Sequence, residues 1–295
     1  MAINPSEAQT YVSIQPATHM GPATLAVADL ARSVDFYTNV LGMTVLNAGE
    51  NGSTMGAGTT PLLHLQAKPG AKRQPEHSTG LYHVAILQSS RPDLGRVVIN
   101  LARTQYQVGG FADHLVSEAI YLDDPDGNGL EIYRDRPREE WRRNGNQIVM
   151  ASDPIDLDGI VASVEDPEAP FTGMPDGTTI GHMHLRVGDI PKAQAFYQDV
   201  LGFDVVAKMP SALFVSAGGY HHHIGMNVWH SRNAPPAPAD SVGLQEYGIV
   251  VPDTDAQGEV LARLNAVGVT HEMQDADALF SDPWSNRIRL SPENS

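Results

Sequence analysis

Apolar positions along this chain fall into short blocks with two different periods. Segments 80–87 (GLYHVAIL) and 243–251 (GLQEYGIVV) are short, strand-length apolar runs bounded by turn formers. Each precedes a stretch, near 92–104 and 254–267, that reads as a helix. Segments 121–133 (YLDDPDGNGLEIY) and 280–290 (FSDPWSNRIRL) then combine Asp-Pro and further turn residues with an alternating strand, which predicts a hairpin.

A second pair of blocks alternates with these. Residues 27–43 (VADLARSVDFYTNVLGM) and 187–203 (VGDIPKAQAFYQDVLGF) match at an offset of 160, which aligns Asp29 with Asp189, Tyr37 with Tyr197 and Gly42 with Gly202. Each copy reads as a strand, an Asp that caps a helix, the helix, and a Gly that stops it in the left-handed region before the next strand.

The chain therefore divides into four modules, each a strand, a helix and several further strands (βαβββ). The expected layout is a tail (1–19), a first pair of modules within 20–135 (20–68 and 79–135), a connector (136–177) rich in charge, Pro, Gly and Asp, and a second pair within 178–295 (178–230 and 242–292). The fold class is α+β, with modules closing pairwise into two cup-shaped mixed sheets whose inward-facing strand residues form any site.

Composition narrows the chemistry. A length of 295 residues and 41% hydrophobic content suit two well-packed domains. A formal charge of −16 argues against nucleic acid as a partner. There is no cysteine, so a metal site has to use His and carboxylates. No basic-then-apolar start suggests a signal peptide, and no apolar run nears the roughly 20 residues that span a bilayer. The expectation is a cytoplasmic protein without a membrane partner; assembly into a homo-oligomer is left open.

The recurring DL-x-x-S-x-x-FY-x-x-x-LG and DP-x-GN-x-x-E patterns, in this order, resemble the vicinal oxygen chelate superfamily, which includes glyoxalase I, bleomycin-resistance proteins and type I extradiol dioxygenases. Segments GLYHVAIL, DHLVSEAIYLDDPDGNGLEIYRDRPREEW, GHMHLRV and GGYHHHIGMNVW look like bacterial catechol 2,3-dioxygenases. The resemblance spans nearly the whole chain. It implies an Fe(II) enzyme, Mn(II) suiting the same donors, that inserts both atoms of O2 into a catechol-like aromatic diol beside the hydroxyls.

In that family two His and one Glu hold the ion, leaving adjacent positions open. One His opens the first strand of one module, and the partner module supplies a His at the same place and a Glu on its last strand. The matching positions here are His83 and Glu131 of the second module and His182 of the third. The first module has Pro22 at the place of His182, and the fourth has Glu246 and Arg289 opposite His83 and Glu131. This set crosses the connector, so the second module is expected to pair with the third, and the first with the fourth. His184 faces the same side of its strand as His182 and is the alternative ligand.

Around the metal the resemblance implies a proton-handling His and a Tyr on a substrate oxygen. Tyr121, ten residues before Glu131, and His114 match the second module's share. The run His221-His222-His223 supplies the rest. Read as strand, it puts His221 and His223 on one face and His222 on the other, and leaves open which of the three acts. Arg134, Arg136 and Trp141 read as packing or surface residues. The competing readings are a glyoxalase I-like isomerase, which normally spends four protein ligands, and a non-enzymatic small-molecule binder, which needs none.

Overall fold

The computed structural model describes residues 11–145 and 147–293; the first ten residues of the expected tail lie outside them. In chain order the strands are β1 (His19–Val27), β2 (Thr44–Gly49), β3 (Gly52–Ala57), β4 (Thr60–Ala67), β5 (Gly80–Leu87), β6 (Gly110–Asp113), β7 (Ser117–Asp123), β8 (Gly129–Asp135), β9 (Arg143–Asn144), β10 (Gln147–Ile148), β11 (Thr179–Arg186), β12 (Asp204–Met209), β13 (Ala212–Ser216), β14 (Ile224–Asn227), β15 (Gly243–Val251), β16 (Glu272–Gln274), β17 (Asp277–Ser281) and β18 (Arg287–Pro292). The α-helices are α1 (Leu30–Asp35), α2 (Arg91–Arg103), α3 (Leu157–Ala162), α4 (Ile190–Gln194) and α5 (Thr254–Ala266).

Two eight-stranded mixed sheets carry the fold. One runs β16-β17-β18-β15-β1-β4-β3-β2 and the other β12-β13-β14-β11-β5-β8-β7-β6. Within a module the first and last strands pair in parallel, as β5 does with β8 and β11 with β14. Between modules the two first strands pair antiparallel, β5 with β11 and β1 with β15. The second module thus shares a sheet with the third, and the first with the fourth. This is the pairing that the single complete His-His-Glu set requires.

The repeated motifs have a structural reason. Asp29 and Asp189 accept from the backbone N–H of Arg32 (3.0 Å) and Lys192 (2.7 Å), capping α1 and α4. Each helix then widens into a π-helical turn, Phe36–Val40 and Ala195–Val200. Gly42 and Gly202 stop it at φ +77° and +90°, where a side chain would be strained. The widened turns carry Tyr37 and Tyr197. Tyr37 donates to Asp124 at 3.0 Å and Tyr197 to Asp282 at 2.9 Å. Each of these Asp also gathers two backbone N–H groups and an Asn amide across its own Asp-Pro turn. The Tyr of one module is therefore locked to the turn of the next module in sequence, although the sheets pair modules differently. Each buried hydroxyl and carboxylate satisfies the other.

Alternation along the strands separates two faces. Val84, Ile86, Leu130, Ile132, Met183 and Leu185 point into the main apolar core. Ala85, Ala119, Tyr121 and Tyr133 lie on the opposite face, with His83 and Glu131 in phase with them.

The connector is more than a link. It contains β9, β10 and α3, and Ile160 is fully buried. Buried Glu118 on β7 anchors it indirectly: Arg91 (2.9 Å), Arg134 (2.6 Å) and Arg136 (3.4 Å) converge on its carboxylate, and Arg91 also reaches Asp156, the cap of α3, at 3.0 Å. Removing the anion leaves three guanidinium groups together without their shared partner. Glu118→Ala is expected to cost about 3 kcal/mol, the lower end for breaking a buried ion pair because the arginines keep some access to water. Urea unfolding followed by circular dichroism checks this. A loss below the scatter of exposed surface substitutions would contradict it.

Among the described residues, no helix is long and apolar enough to cross a membrane.

Candidate metal centre

Strand register builds the site. Reading across the second sheet, His182 on β11 stands opposite Ala85 on β5, Ala85 opposite Glu131 on β8, and Glu131 opposite Tyr121 on β7. His83 lies two residues before Ala85 and so shares its face. Ala85 is the small residue in the middle of the row, and its methyl leaves the three larger side chains free to converge above it.

His83, Glu131 and His182 are buried, and one ligand atom from each lies within 4.8 Å of the others. Glu131 Oε2 is 3.2 Å from His182 Nε2 and 3.0 Å from His83 Nε2. The second contact is not aligned as a hydrogen bond: His83 Nε2 is a buried nitrogen with no hydrogen-bond partner among the described residues. An orphaned buried nitrogen is costly. Here it is aimed into the space the other two donors share, which is how a ligand atom would stand.

The electrostatics match. Burial alone would raise the Glu131 carboxyl, but His182 and His83 beside it outweigh that and hold it well below the usual carboxylate range. Burial lowers His182 to about 4 despite the opposing pull of Glu131. An ionised carboxylate and a neutral imidazole are the forms that ligate metal. Two imidazole nitrogens and one carboxylate oxygen with a cavity before them form a donor set suited to a divalent ion that keeps open positions.

That cavity, about 450 Å³, is lined by all three residues and by His114, Tyr121, His184 and His222. His114 Nδ1 donates to the Ala151 carbonyl at 2.6 Å, which leaves Nε2 to accept from the Tyr121 hydroxyl, also at 2.6 Å. Tyr121 is thereby held over the Glu131 row, and burial, with the Glu131 charge, raises its hydroxyl well above the usual tyrosine range. The connector supplies part of the wall through Met150, Ala151 and Ser152.

The histidine run departs from the sequence reading. Residues 221–223 are not strand; they form the loop between β13 and β14, so face alternation does not apply to them. His222, not His221 or His223, lines the cavity, with its ring centroid 4.1 Å from that of His182. His221 lies behind it, fully buried, with Nδ1 2.8 Å from His222 Nδ1 and Nε2 2.9 Å from Asp135 Oδ1. His223 accepts from the Ala217 N–H at 3.1 Å and packs on Tyr220. It serves the loop. A loop permits this splaying of consecutive side chains where a strand would not.

His184 borders the cavity but lies outside the cluster; Asn227 Nδ2 donates to its Nε2 at 3.0 Å. Sequence reasoning did not find Asp135, nor the apolar wall of Met209, Phe214 and Trp229. Asp135 sits four residues after Glu131 on β8, an in-phase spacing that could have drawn attention to it. Arg136, expected to be a packing or surface residue, pairs with Asp113 and Glu118, and Arg134 with Glu118. Trp141 is buried against Tyr220 and His221.

In the other sheet the equivalent place is closed by charge. Arg289 reaches Glu246 at 2.6 Å and Asp277 at 2.9 Å, and Arg287 reaches Glu246 at 3.1 Å. A guanidinium stands where a cation's ligand would be.

Comparison with known proteins agrees with this architecture. The family model described as Glyoxalase/Bleomycin resistance protein/Dioxygenase superfamily matches residues 19–132 and 179–290. Catechol-2,3-dioxygenase of Bacillus subtilis (strain 168) is 45% identical over 279 residues, covering 92% of this chain and 96% of that protein. Lactoylglutathione lyase of Escherichia coli O157:H7 is 27% identical over 145 residues, covering 49% of this chain and 82% of that protein. Glyoxalase I from Zea mays shares the fold, with a TM-score of 0.57 at 16% identity over 94% of this chain and 92% of that one. On the motifs, the sheet order and these matches, the chain belongs to the glyoxalase/bleomycin resistance protein/dioxygenase superfamily.

Proposed function

We propose that the protein is an extradiol ring-cleaving dioxygenase that uses Fe(II), held by His83, Glu131 and His182, to insert both atoms of O2 into a catechol-like diol. The observation that carries this reading is the buried His-Glu-His cluster, with a misaligned, unpartnered His83 Nε2, facing a cavity. The similarity to catechol-2,3-dioxygenase over 92% of the chain supports the same activity. When bound, the ion supplies Lewis acidity toward the diol and one-electron chemistry with O2.

The chain's own residues bind, orient and exclude water. His83, Glu131 and His182 would hold the ion at the cavity, and with only three protein ligands it would keep positions free for substrate oxygens. Tyr121, fixed by His114, presents its hydroxyl oxygen beside the Glu131 row, where it can orient a diol oxygen. His222 lines the cavity beside His182, placed to accept a diol proton and return it. His221 and Asp135 brace His222 from behind. The isomerase reading is weaker: no fourth carboxylate or imidazole joins the cluster among the described residues, and the mirrored site holds Arg289.

Anaerobic loading with Fe(II), then catechol and air, is expected to give the yellow ring-opened product, with weaker or no turnover after loading with Mn(II) or Zn(II). A protein that retains iron but cleaves no diol would overturn the assignment. A protein that retains no metal would instead favour a binding role for the cavity.

A further inference from the structure

The cavity before the cluster carries information on what it admits, given the dioxygenase reading on which this inference rests. Its apolar lining includes Ala112, Val116, Met150, Met209, Phe214 and Trp229. Among the described residues, no Lys or Arg lines it. Apart from the residues already placed, the polar residues that line it are Tyr82, Ser117 and Ser152. Arg73 and Arg186 line an adjoining chamber of about 640 Å³, which shares Tyr82, His83 and Tyr121 with this cavity.

Two of the wall residues are conspicuous. Met209 and Trp229 are 47% and 49% exposed, yet both border the cavity. Trp229 is braced from beneath, its ring 5.3 Å from Tyr82 and 5.7 Å from His184. A large apolar ring held in this way costs little to order when a ligand covers it, and covering it removes apolar surface from water.

We infer that this chamber selects an uncharged diol with an apolar substituent, seated against Met209, Phe214 and Trp229, and discriminates against diols that carry a carboxylate. Moving a carboxylate into a wall without a cation leaves it desolvated and unpaired. A methyl group in the same place gains apolar contact of the size that enzymes use to tell homologues apart. Met209, Phe214 and Trp229 are thus the specificity-determining residues, distinct from those that hold the ion.

The test compares catechol with its ring-methylated and ring-carboxylated derivatives on the iron-loaded enzyme. It uses two readouts: kcat/KM in air, and anaerobic binding followed by quenching of tryptophan fluorescence. Trp229 is the exposed member of three tryptophans, and Trp229→Phe identifies its share of the signal. Methylated catechols are expected to exceed catechol roughly tenfold in kcat/KM, and carboxylated ones to fall at least about 100-fold below the methylated ones. Met209→Lys is expected to narrow that gap by roughly tenfold by supplying the absent cation.

Equal or better cleavage of carboxylated diols would overturn the inference and direct their substituent toward Arg186 and Arg73. Cleavage of all diols without preference would also overturn it while leaving the dioxygenase reading intact. If methylated diols bind anaerobically in preference to carboxylated ones but none is cleaved, the selectivity stands and the dioxygenase reading falls.

Discussion

Replacing Glu131 by Gln is expected to abolish iron retention and to lower diol cleavage more than about 1,000-fold, equivalent to roughly 4 kcal/mol of transition-state stabilisation. Glu131 is the single anion among the three proposed ligands, and it is buried. A divalent cation next to two neutral imidazoles alone would sit in a low-dielectric space with its charge uncompensated. Gln keeps the volume and one carbonyl oxygen, so the change tests charge rather than packing. His83→Ala and His182→Ala should each lose iron as well, and the second carries a topological meaning. His182 belongs to the third module while His83 and Glu131 belong to the second, joined through the antiparallel β5–β11 pair. Metal analysis after gel filtration, with circular dichroism to show that the variants fold, is the check. Full iron content in the folded Glu131→Gln protein would sink the assignment of the cluster.

The module plan was readable because it is written in local signals. An Asp cap, a Gly stop and an Asp-Pro turn each impose a backbone geometry on their own few residues. The pairing of the second module with the third was readable for a different reason. Only one His-His-Glu set exists in the four modules, and chemistry demands that its members meet. Tyr37 and Tyr197 show what local reading misses. Their helical positions were clear, but their bonds to Asp124 and Asp282 link residues 87 and 85 positions apart. The histidine run failed for a physical reason as well. Period-2 reasoning assumes extended backbone, whereas positive φ at Gly218 and Gly219 turns the chain just before His221 and delays the strand to Ile224. The apolar wall was illegible because Met150, Met209 and Trp229 come from separate loops and a strand end, with no shared spacing.

His222→Phe is expected to lower kcat by about 100- to 1,000-fold, the range for losing one positioned acid–base group, with iron content unchanged. The geometry separates the three histidines of the run. Asp135 can only accept, so His221 Nε2 donates to it across 2.9 Å. His222 Nδ1 lies 2.8 Å from His221 Nδ1, which leaves Nε2 as the His222 nitrogen free to exchange a proton with a diol. Burial, reinforced by the neighbouring histidines His182 and His221, lowers the His222 ring well below the usual histidine range, which favours its neutral form. Phe preserves the ring's packing against His182 and Phe214 while removing both nitrogens. His221→Phe should cost less, roughly tenfold, because it removes the brace and leaves the acting group in place. His223→Phe should change kcat by less than about twofold, since its nitrogen serves only the Ala217 N–H within the loop. Steady-state kinetics on the three variants at matched iron content orders them. If His223→Phe were the most damaged, proton handling would belong to the other side of the loop and the His222 assignment would fail. A uniform small loss across all three would mean that this loop shapes the cavity without moving protons.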